Sequence, residues 1–473
     1  MDAKSFIGDT LKYAFPSVVS ALVTIVAIPL ITRLYPASDY GIISLYYSMG
    51  TLLASLFTLG LTNACVRFFY EPPHDATSKQ LFNFTFFVGI LVTSVVFVFT
   101  YIFAGQTVSI YLFGSYDPIA LVLFFIYIIS TICYRLQMQF ARLSGSVISF
   151  NAQQIAYIVS NKLLFVVAVG YSTDYIYAIL LITVATAAEV LFVGSRSLKF
   201  EKALPGSKAK KDMLTFSLPL LPKDAAVMID SSVGKLIPSF FQDFYSLGVL
   251  AMATTIANAF ALIGSAFSVY WGPFVYKNYK TDQQFIKQIH NYVVLASIAM
   301  TLAVFLFQDA LFLMLDDSYR VSQSYFMLLM LMPAQILISE TTTYGITLAN
   351  KTNIAMVISL VSCSANLLIS FFLYPFLGPL SCAIGIGVSS VLRLTIGTIE
   401  GQKFYSSISS ARQTTYGVVV IAIVCVINLL VFNSFRFRFA IFSVAFIVTC
   451  IVYRDEVKRV LRLLKAAAAK LHA

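Results

Sequence analysis

The chain has 473 residues, of which 59% are hydrophobic and 11% charged, and its mean hydropathy is +0.85. Globular proteins carry about 25% charged residues, so this composition excludes an ordinary water-soluble domain and predicts an all-α integral membrane protein. The net charge of +11 does not indicate nucleic-acid binding, because the basic residues lie between apolar runs, where they set membrane orientation.

Hydropathy predicts fourteen membrane-spanning helices. Each apolar run has about the 20 residues that a helix needs to cross a bilayer. The first run is too long for a signal-peptide core and lacks a small-x-small cleavage site, so we expect it to be retained. The predicted spans are 11–31, 41–64, 81–103, 118–142, 147–170, 174–194, 214–238, 245–271, 288–310, 322–346, 353–375, 378–399, 414–433 and 437–453.

The basic residues between the runs support this count and give an orientation. With the N-terminus inside, the cytoplasmic segments hold 24 basic residues and the opposite loops hold 5. A wrong number of spans would scramble that asymmetry. We therefore expect both termini on the cytoplasmic side.

An internal repeat divides the chain into halves. The segment Asp9–Pro16 (DTLKYAFP) recurs as Asp212–Pro219 (DMLTFSLP), and each copy opens a span. Gly41 and Gly248 then mark the start of the next span in each half. Six spans in each half predict parallel repeats related by an axis along the membrane normal, with a substrate path between the halves.

This repeat predicts a domain plan of two six-helix bundles followed by two additional helices. The final AAAAKLHA resembles a vector-derived tail as much as native sequence. The predicted parts are an N-terminal bundle at 1–200, a basic cytoplasmic linker at 201–213, a C-terminal bundle at 214–403, the additional helices at 414–453 and a basic cytoplasmic tail at 454–473.

Several charged residues fall inside or beside the apolar runs. A charge at the bilayer centre costs roughly 2.5–3.5 kcal/mol on insertion scales, so it usually has a partner or faces water. In span 7, Lys223 and Asp230 are seven residues apart and share one helical face, which predicts that this helix lines an aqueous cavity. Pro219 and Pro222 should bend it, as Pro16 and Pro29 should bend span 1. The embedded charges are Lys162, Glu189, Lys223, Asp224, Asp230, Glu340 and Arg393, with Arg33, Arg67 and Lys235 near span ends.

Each of these charges also has a purely structural interpretation. Arg33, Arg67, Lys235 and Glu189 lie close enough to an interface to reach the headgroups. An internal salt bridge would account for Lys162 and Arg393, and neutralisation of a lysine would account for Glu340. Embedded polar residues could contact sugar hydroxyls or bond helix to helix; they are Asn63, Gln137, Gln153, Gln154, Asn258 and Asn366.

No enzyme motif is present in the sequence. It lacks a P-loop, HExxH, GxSxG and a glycine-rich dinucleotide fingerprint, and its six cysteines form no CxxC pair. We therefore expect no catalytic residues, no metal site and no cofactor. A coupling ion, H⁺ or Na⁺, remains open.

The first two spans carry the residues of a family resemblance. PLITRLYPxxxYGIISL from Pro29 to Leu45 and TLGLTNAxxRFF from Thr58 to Phe69 resemble the polysaccharide-exporter branch of the MOP superfamily, and more narrowly the O-antigen flippases of Wzx type. The length and the 6+6+2 layout agree over essentially the whole chain. Where the family often has an Asp-Arg pair before span 8, this chain has Gly234-Lys235, so the basic member is present and the acidic one is absent.

The resemblance implies a flippase that moves an undecaprenyl-diphosphate-linked oligosaccharide from the cytoplasmic to the periplasmic leaflet of the bacterial inner membrane. Membrane lipids surround it, and a polysaccharide polymerase and a chain-length regulator are candidate partners. A diphosphate would be stabilised by basic side chains. The candidate substrate-binding residues of a cationic cavity are then Arg33, Arg67, Lys162, Lys223, Lys235 and Arg393, and the candidate coupling or charge-tuning residues are Asp230, Glu340, Glu189 and Asp224.

Three other functions stay open. A MATE-like antiporter for drugs and cations would share the architecture but should have acid-dominated cavities. A membrane-embedded glycosyltransferase or polymerase would need a long loop with catalytic residues, and the longest loop here is the basic one of about 19 residues at 195–213. A non-transporting scaffold leaves the intramembrane charges unexplained.

Overall fold

The computed structural model describes residues 3–168, 170, 172–460 and 462, and within them every regular element is a helix. A π-helical turn (Thr100–Ala104) joins α4 to α5, and 3₁₀ turns occur at Gly194–Arg196, Leu218–Leu220 and Asp317–Ser322. The helices are α1 (Ala3–Leu34), α2 (Ala37–Phe57), α3 (Leu61–Arg67), α4 (Ser78–Phe99), α5 (Gly105–Phe113), α6 (Pro118–Leu143), α7 (Val147–Lys162), α8 (Leu164–Ala168), α9 (Tyr175–Phe192), α10 (Ser207–Ser217), α11 (Leu221–Phe240), α12 (Phe244–Asn278), α13 (Gln283–Leu313), α14 (Gln323–Leu329), α15 (Leu331–Thr342), α16 (Tyr344–Leu348), α17 (Thr352–Leu377), α18 (Pro379–Phe404), α19 (Ala411–Val431) and α20 (Phe435–Val452).

Eleven helical segments of the described chain are long and apolar enough to cross a membrane, so the protein is a multi-pass membrane protein. The first, fifth and seventh predicted spans fall outside this group. They correspond to α1, whose apolar part Leu22–Leu34 is shorter, and to the interrupted pairs α7–α8 and α10–α11. Fourteen spans therefore stay a prediction. The eleven segments are Ala37–Phe57, Ser78–Phe113, Pro118–Leu143, Tyr175–Arg196, Phe244–Asn278, Gln283–Leu313, Asp317–Thr342, Thr352–Leu377, Pro379–Phe404, Ala411–Val431 and Phe435–Val452.

The chain divides into two compact units. Unit 1 comprises 1–252, 315–319 and 370–382, and unit 2 comprises 253–314, 320–369 and 383–473. The seventh predicted span, α11, therefore belongs to unit 1 together with α1–α9. The end of the basic tail, 463–473, lies outside the described residues.

The prolines affect the two predicted bends differently. Pro219 lies in the 3₁₀ turn Leu218–Leu220, and Pro222 follows in the first turn of α11. Proline cannot donate a backbone hydrogen bond, and the α-helix is interrupted there. By contrast, α1 runs through Pro16 and Pro29 as one continuous helix.

Helix caps and a buried tyrosine organise unit 1. The Asp117 carboxylate accepts a hydrogen bond from the Ala120 amide (2.9 Å) at the start of α6, which satisfies one of the free donors of the helix. The Tyr46 hydroxyl contacts Thr183 Oγ1 at 2.5 Å and donates to the Leu123 carbonyl at 2.9 Å. A single fully buried side chain of α2 thus joins α6 and α9.

The basic linker is held by side chains from two other segments of unit 1. The Asp75 carboxylate accepts from the Ala209 amide at the start of α10 (3.3 Å), and the Gly206 amide donates to the Asp75 carbonyl (2.9 Å). Asn83 accepts from the Glu201 amide (3.2 Å) and donates to the Ala203 carbonyl (3.0 Å). The linker is therefore anchored at both ends of its non-helical part.

Buried polar pairs join the helices of unit 2. The two ring nitrogens of His290 contact Thr341 Oγ1 and Thr414 Oγ1, each at 2.8 Å, so α13 is tied to α15 and α19. Arg438 lies in the first turn of α20 and is only 1% exposed. It forms an ion pair with Asp309 of α13 and donates to the Phe305 carbonyl at 3.3 Å.

Candidate functional site

Lys162 is an embedded cation of unit 1 without a carboxylate partner among the described residues. It is the last residue of α7, and Leu163 separates α7 from α8. Its ammonium donates to Thr24 Oγ1 (2.6 Å) and Ser20 Oγ (3.1 Å) of α1. Two neutral hydroxyls solvate this charge without neutralising it, so its positive charge remains available to an anion.

A tyrosine-rich region adjoins the end of α7. Asn161 accepts a hydrogen bond from the buried Tyr127 hydroxyl (3.0 Å). The rings of Tyr134 and Tyr157 stack with centroids 3.9 Å apart. Arg135, half-buried on α6, acts electrostatically on Tyr127 and Tyr134.

Arg135 is a candidate site residue that sequence reasoning missed. It lies eight residues before the end of α6 (Pro118–Leu143) and inside the predicted span 118–142, but it was not counted among the embedded charges. The uninterrupted run from Pro118 to Leu143, without an internal glycine or proline, was a signal that this arginine belongs to the helix.

The charges of span 7 separate into different environments. Asp224 accepts a hydrogen bond from the Asn63 amide at 2.6 Å, which ties α11 to α3. Lys223, its neighbour, is half-buried and forms no hydrogen bond or ion pair with another residue that the structure describes. Asp230 is half-buried and makes a polar interaction. Asp224 thus has a structural role, whereas Lys223, like Lys162, has no acidic partner among the described residues.

Lys235 points from α11 at the backbone of α2. Its ammonium lies 3.5 Å from the Ser44 carbonyl. One turn before it, Ser232 contacts Ser48 of α2 at 3.3 Å. The ammonium of Lys235 therefore lies where α2 packs against α11, and both helices belong to unit 1.

Arg33 and Arg67 lie at helix ends and are exposed. Arg33 is in the last turn of α1, and Arg67 is the last residue of α3. Arg67 is 4.0 Å from Glu71 across the surface, and its guanidinium lies over the Phe68 ring. These positions match the structural interpretation, in which both arginines reach the headgroup region.

Glu189 of α9 is only 4% exposed. Neither of its carboxylate oxygens has a hydrogen-bond partner in the described part of the chain. The nearby ionisable groups on α6 are Cys133 and Tyr134. Glu189 therefore does not reach the interface as the structural interpretation required.

Unit 2 holds the remaining two candidates. Glu340 of α15 is half-buried, and Ser268 of α12 and Tyr344 of α16 lie near it. No lysine of the described residues forms an ion pair with it. Arg393 of α18 is half-buried and makes a polar interaction.

The partners of these side chains distinguish them among the described residues, while the site itself stays a prediction. Lys162, Lys223 and Lys235 with Arg135 give unit 1 four embedded cations, while Asp224 is held by Asn63. Such a set can stabilise an anionic ligand by charge-assisted hydrogen bonds.

Comparisons with known proteins agree with this architecture. The chain covers 99% of the lipid II flippase MurJ in its inward closed conformation, with 94% of its own length, 13% identity and a TM-score of 0.71. It covers 95% of the MATE multidrug transporter DinF-BH, with 85% of its own length, 17% identity and a TM-score of 0.60. At these identities the likeness concerns the fold.

The family assignment comes from the sequence itself. No curated protein matches the chain. A profile of the family described as polysaccharide biosynthesis protein matches residues 9–269, which is more than half of the 473 residues. The match includes both motifs of the first two spans, so the predicted resemblance to the MOP superfamily is confirmed, while the Wzx type remains a prediction. The chain belongs to the polysaccharide biosynthesis protein family.

Proposed function

We propose that this protein is a flippase for an undecaprenyl-diphosphate-linked oligosaccharide of the O-antigen or capsule type. It carries the substrate from the cytoplasmic to the periplasmic leaflet of a bacterial inner membrane by alternating access. The lipid tail stays in the bilayer while the charged headgroup crosses. In this proposal the chain has fourteen spans, both termini are cytoplasmic, and no bond is made or broken.

The main observation that supports this proposal is the environment of Lys162. An embedded ammonium costs several kcal/mol unless it is paired or hydrated, and among the described residues its hydrogen bonds go only to Thr24 and Ser20. A transported diphosphate would supply the missing negative charge. Because the pairing would form only when the substrate is bound, an uncompensated lysine favours an anionic ligand.

Three further cations of unit 1 would bind the diphosphate together with Lys162: Lys223, Lys235 and Arg135. Lys223 and Lys235 lie on α11, and Arg135 lies on α6. Arginine can bind a phosphate in a bidentate manner, whereas lysine acts as a compact point charge. In this assignment Arg135 orients the diphosphate and the lysines attract it.

A MATE-like multidrug antiporter is the second candidate function, because DinF-BH has a similar fold. A cationic drug would require acidic groups in the substrate path. In unit 1, Asp224 is already bound to Asn63, and the cations outnumber the acids available to a ligand. The charge balance of unit 1 therefore favours an anionic substrate over a cationic one.

The proposal can be tested in a strain that lacks its own flippase for a surface glycan. The wild-type protein should restore surface glycan, and Lys162→Ala and Lys223→Ala should each abolish it at equal protein levels in the membrane fraction. Lys351→Ala, which changes an exposed lysine just before α17, is the matched control and should complement fully. Full complementation by both site variants would remove this site assignment.

A further inference from the structure

The last two turns of α20 and the residue after Tyr453 line an open groove in unit 2, here called the α20 groove. Its volume is about 420 Å³. Four of its five lining residues are hydrophobic and the fifth is a cation; they are Phe446, Ile447, Cys450, Ile451 and Arg454. Phe446, Ile447 and Ile451 are each more than half exposed. Because an exposed apolar face of a membrane protein contacts acyl chains, the groove joins a lipid-facing surface to a positive charge.

The segment that follows α20 is held by other helices of unit 2, which fixes its orientation. Tyr453 is fully buried, and its hydroxyl donates to the Gln413 carbonyl of α19 (2.8 Å). Residues 454–460 are helical. In this segment the Glu456 carboxylate accepts a hydrogen bond from the side-chain amide of Asn291 on α13 (2.7 Å). The start of the segment is therefore tied to both α13 and α19.

The anchored Glu456 determines where the cations of this segment lie. Residues two apart on a helix are about 200° apart around its axis, so Arg454 and Lys458 lie opposite Glu456. They are four residues apart and therefore share one face. Both are exposed, and neither forms an ion pair or hydrogen bond with another residue that the structure describes. Lys458 thus adds a second positive charge one turn beyond the Arg454 end of the groove.

An amphiphile with a negative headgroup matches both parts of the groove. A basic segment after a membrane span can simply set orientation, but orientation requires charge and no fixed position. Of the two acids in this segment, Glu456 is bound to Asn291, and Asp455 forms no ion pair with a described residue. Basic clusters beside a membrane span bind anionic lipid headgroups. A zwitterionic lipid would add no net negative charge, and a water-soluble acidic partner would leave the apolar lining exposed.

We propose that the α20 groove binds an anionic phospholipid of the phosphatidylglycerol type. An acyl chain lies along Phe446, Ile447 and Ile451, and Arg454 binds the headgroup phosphate, to which arginine can donate two parallel hydrogen bonds. Lys458 contributes the second charge. The bound lipid holds the end of α20 and the anchored segment at the headgroup level of the bilayer. The site belongs to unit 2, and it does not depend on the proposed function.

The test uses a tryptophan reporter and brominated lipids. Phe446→Trp places an indole in the groove about 12 Å along the helix from Arg454, beside the middle of an acyl chain whose headgroup is at Arg454. The purified full chain is reconstituted in mixtures of phosphatidylcholine and phosphatidylglycerol, with bromine on the acyl chains of one lipid at a time. The native chain, whose single tryptophan Trp271 is buried, gives the background. Quenching should show that phosphatidylglycerol binds about fivefold more strongly, the gain expected from one basic residue near anionic headgroups.

Variants of the reporter protein distinguish this site from general attraction to a basic tail. Arg454→Gln should remove most of the preference for phosphatidylglycerol, and Lys458→Gln should reduce it. Arg459→Gln is the matched control, because it removes the same charge from the same segment but lies three residues after Glu456, on the anchored side, and it should keep the preference. Quenching by brominated phosphatidylcholine alone should be equal in all four proteins, which shows that α20 still faces lipid. Equal loss of preference in Arg454→Gln and Arg459→Gln, or no preference in the reporter protein, would overturn the site.

Discussion

Gly41 of α2 and Gly248 of α12 pack backbone against backbone in unit 1. A Cβ on Gly41 would lie 3.0 Å from the Gly248 amide nitrogen, and a Cβ on Gly248 would overlap the Ala37 carbonyl. The repeat in the sequence put these two glycines at equivalent places in the two halves. The duplication itself stays a prediction.

Adding a methyl group at this contact should destabilise unit 1. Gly248→Ala forces the ends of α2 and α12 apart, and overpacking of this kind typically costs about 1–3 kcal/mol. Thermal unfolding in detergent should show a lower midpoint for Gly248→Ala. Gly105→Ala is the control, since its Cβ would meet its nearest neighbour at 3.5 Å, an ordinary contact. An unchanged midpoint for Gly248→Ala would mean that the two helices are not in close contact.

The Asp75 cap should control the accessibility of the basic linker. Asp75→Ala removes the carboxylate that accepts from the Ala209 amide, and loss of a helix cap costs about 0.5–2 kcal/mol. Limited proteolysis with trypsin should then cleave at Lys208, Lys210 or Lys211 several-fold faster. The control Glu71→Ala removes only the exposed pair with Arg67. Equal cleavage rates for all three proteins would contradict the capping role.

Removing one partner of the Arg438–Asp309 ion pair should destabilise the protein more than removing both partners. Asp309→Ala leaves an arginine that is 1% exposed without its carboxylate, and an uncompensated buried charge destabilises strongly. The double variant Asp309→Ala/Arg438→Met removes both charges and should recover part of the lost stability. Because the Asp309 side chain is 45% exposed, we expect an effect of about 1–3 kcal/mol, below the usual cost of roughly 3–5 kcal/mol for a fully buried pair. A double variant less stable than Asp309→Ala would contradict this account.

The proposed topology can be checked with single cysteines. A cysteine introduced at Ser207 in the linker should react with a membrane-impermeant maleimide only after the cells are opened. One at Ser318, between α13 and α14, should react in intact cells whose outer membrane has been permeabilised. A cysteine-free background is required, since the chain has six cysteines. Reaction of both positions from the same side would exclude an odd number of spans between them.

The sequence predicted most of the helices, because hydropathy summed over about 20 residues is a strong signal. It could not predict where the helices break. The interruption at Leu163, between α7 and α8, has no proline or glycine beside it. The break before α11 was predictable, since Pro219 and Pro222 remove backbone donors there.

The sequence proposed candidate residues, but the side chains that they contact could not be predicted from it. Ser20 and Thr24 lie 142 and 138 residues from Lys162, and no periodicity links positions so far apart. The same limit applies to Asp224, whose partner Asn63 is on α3. Arg33 and Arg67 show the opposite case: their places at the ends of apolar runs already favoured an exposed position.

Reconstituted transport tests the central claim most directly. Proteoliposomes containing the purified chain and a fluorescent undecaprenyl-diphosphate oligosaccharide are assayed for access of the glycan to an added impermeant lectin or glycosidase. The account predicts translocation by the wild type, its loss in Lys162→Ala, and partial recovery in Lys162→Arg, which keeps the charge. Translocation by Lys162→Ala at the wild-type rate, or transport of a cationic dye in place of the anionic lipid, would contradict it.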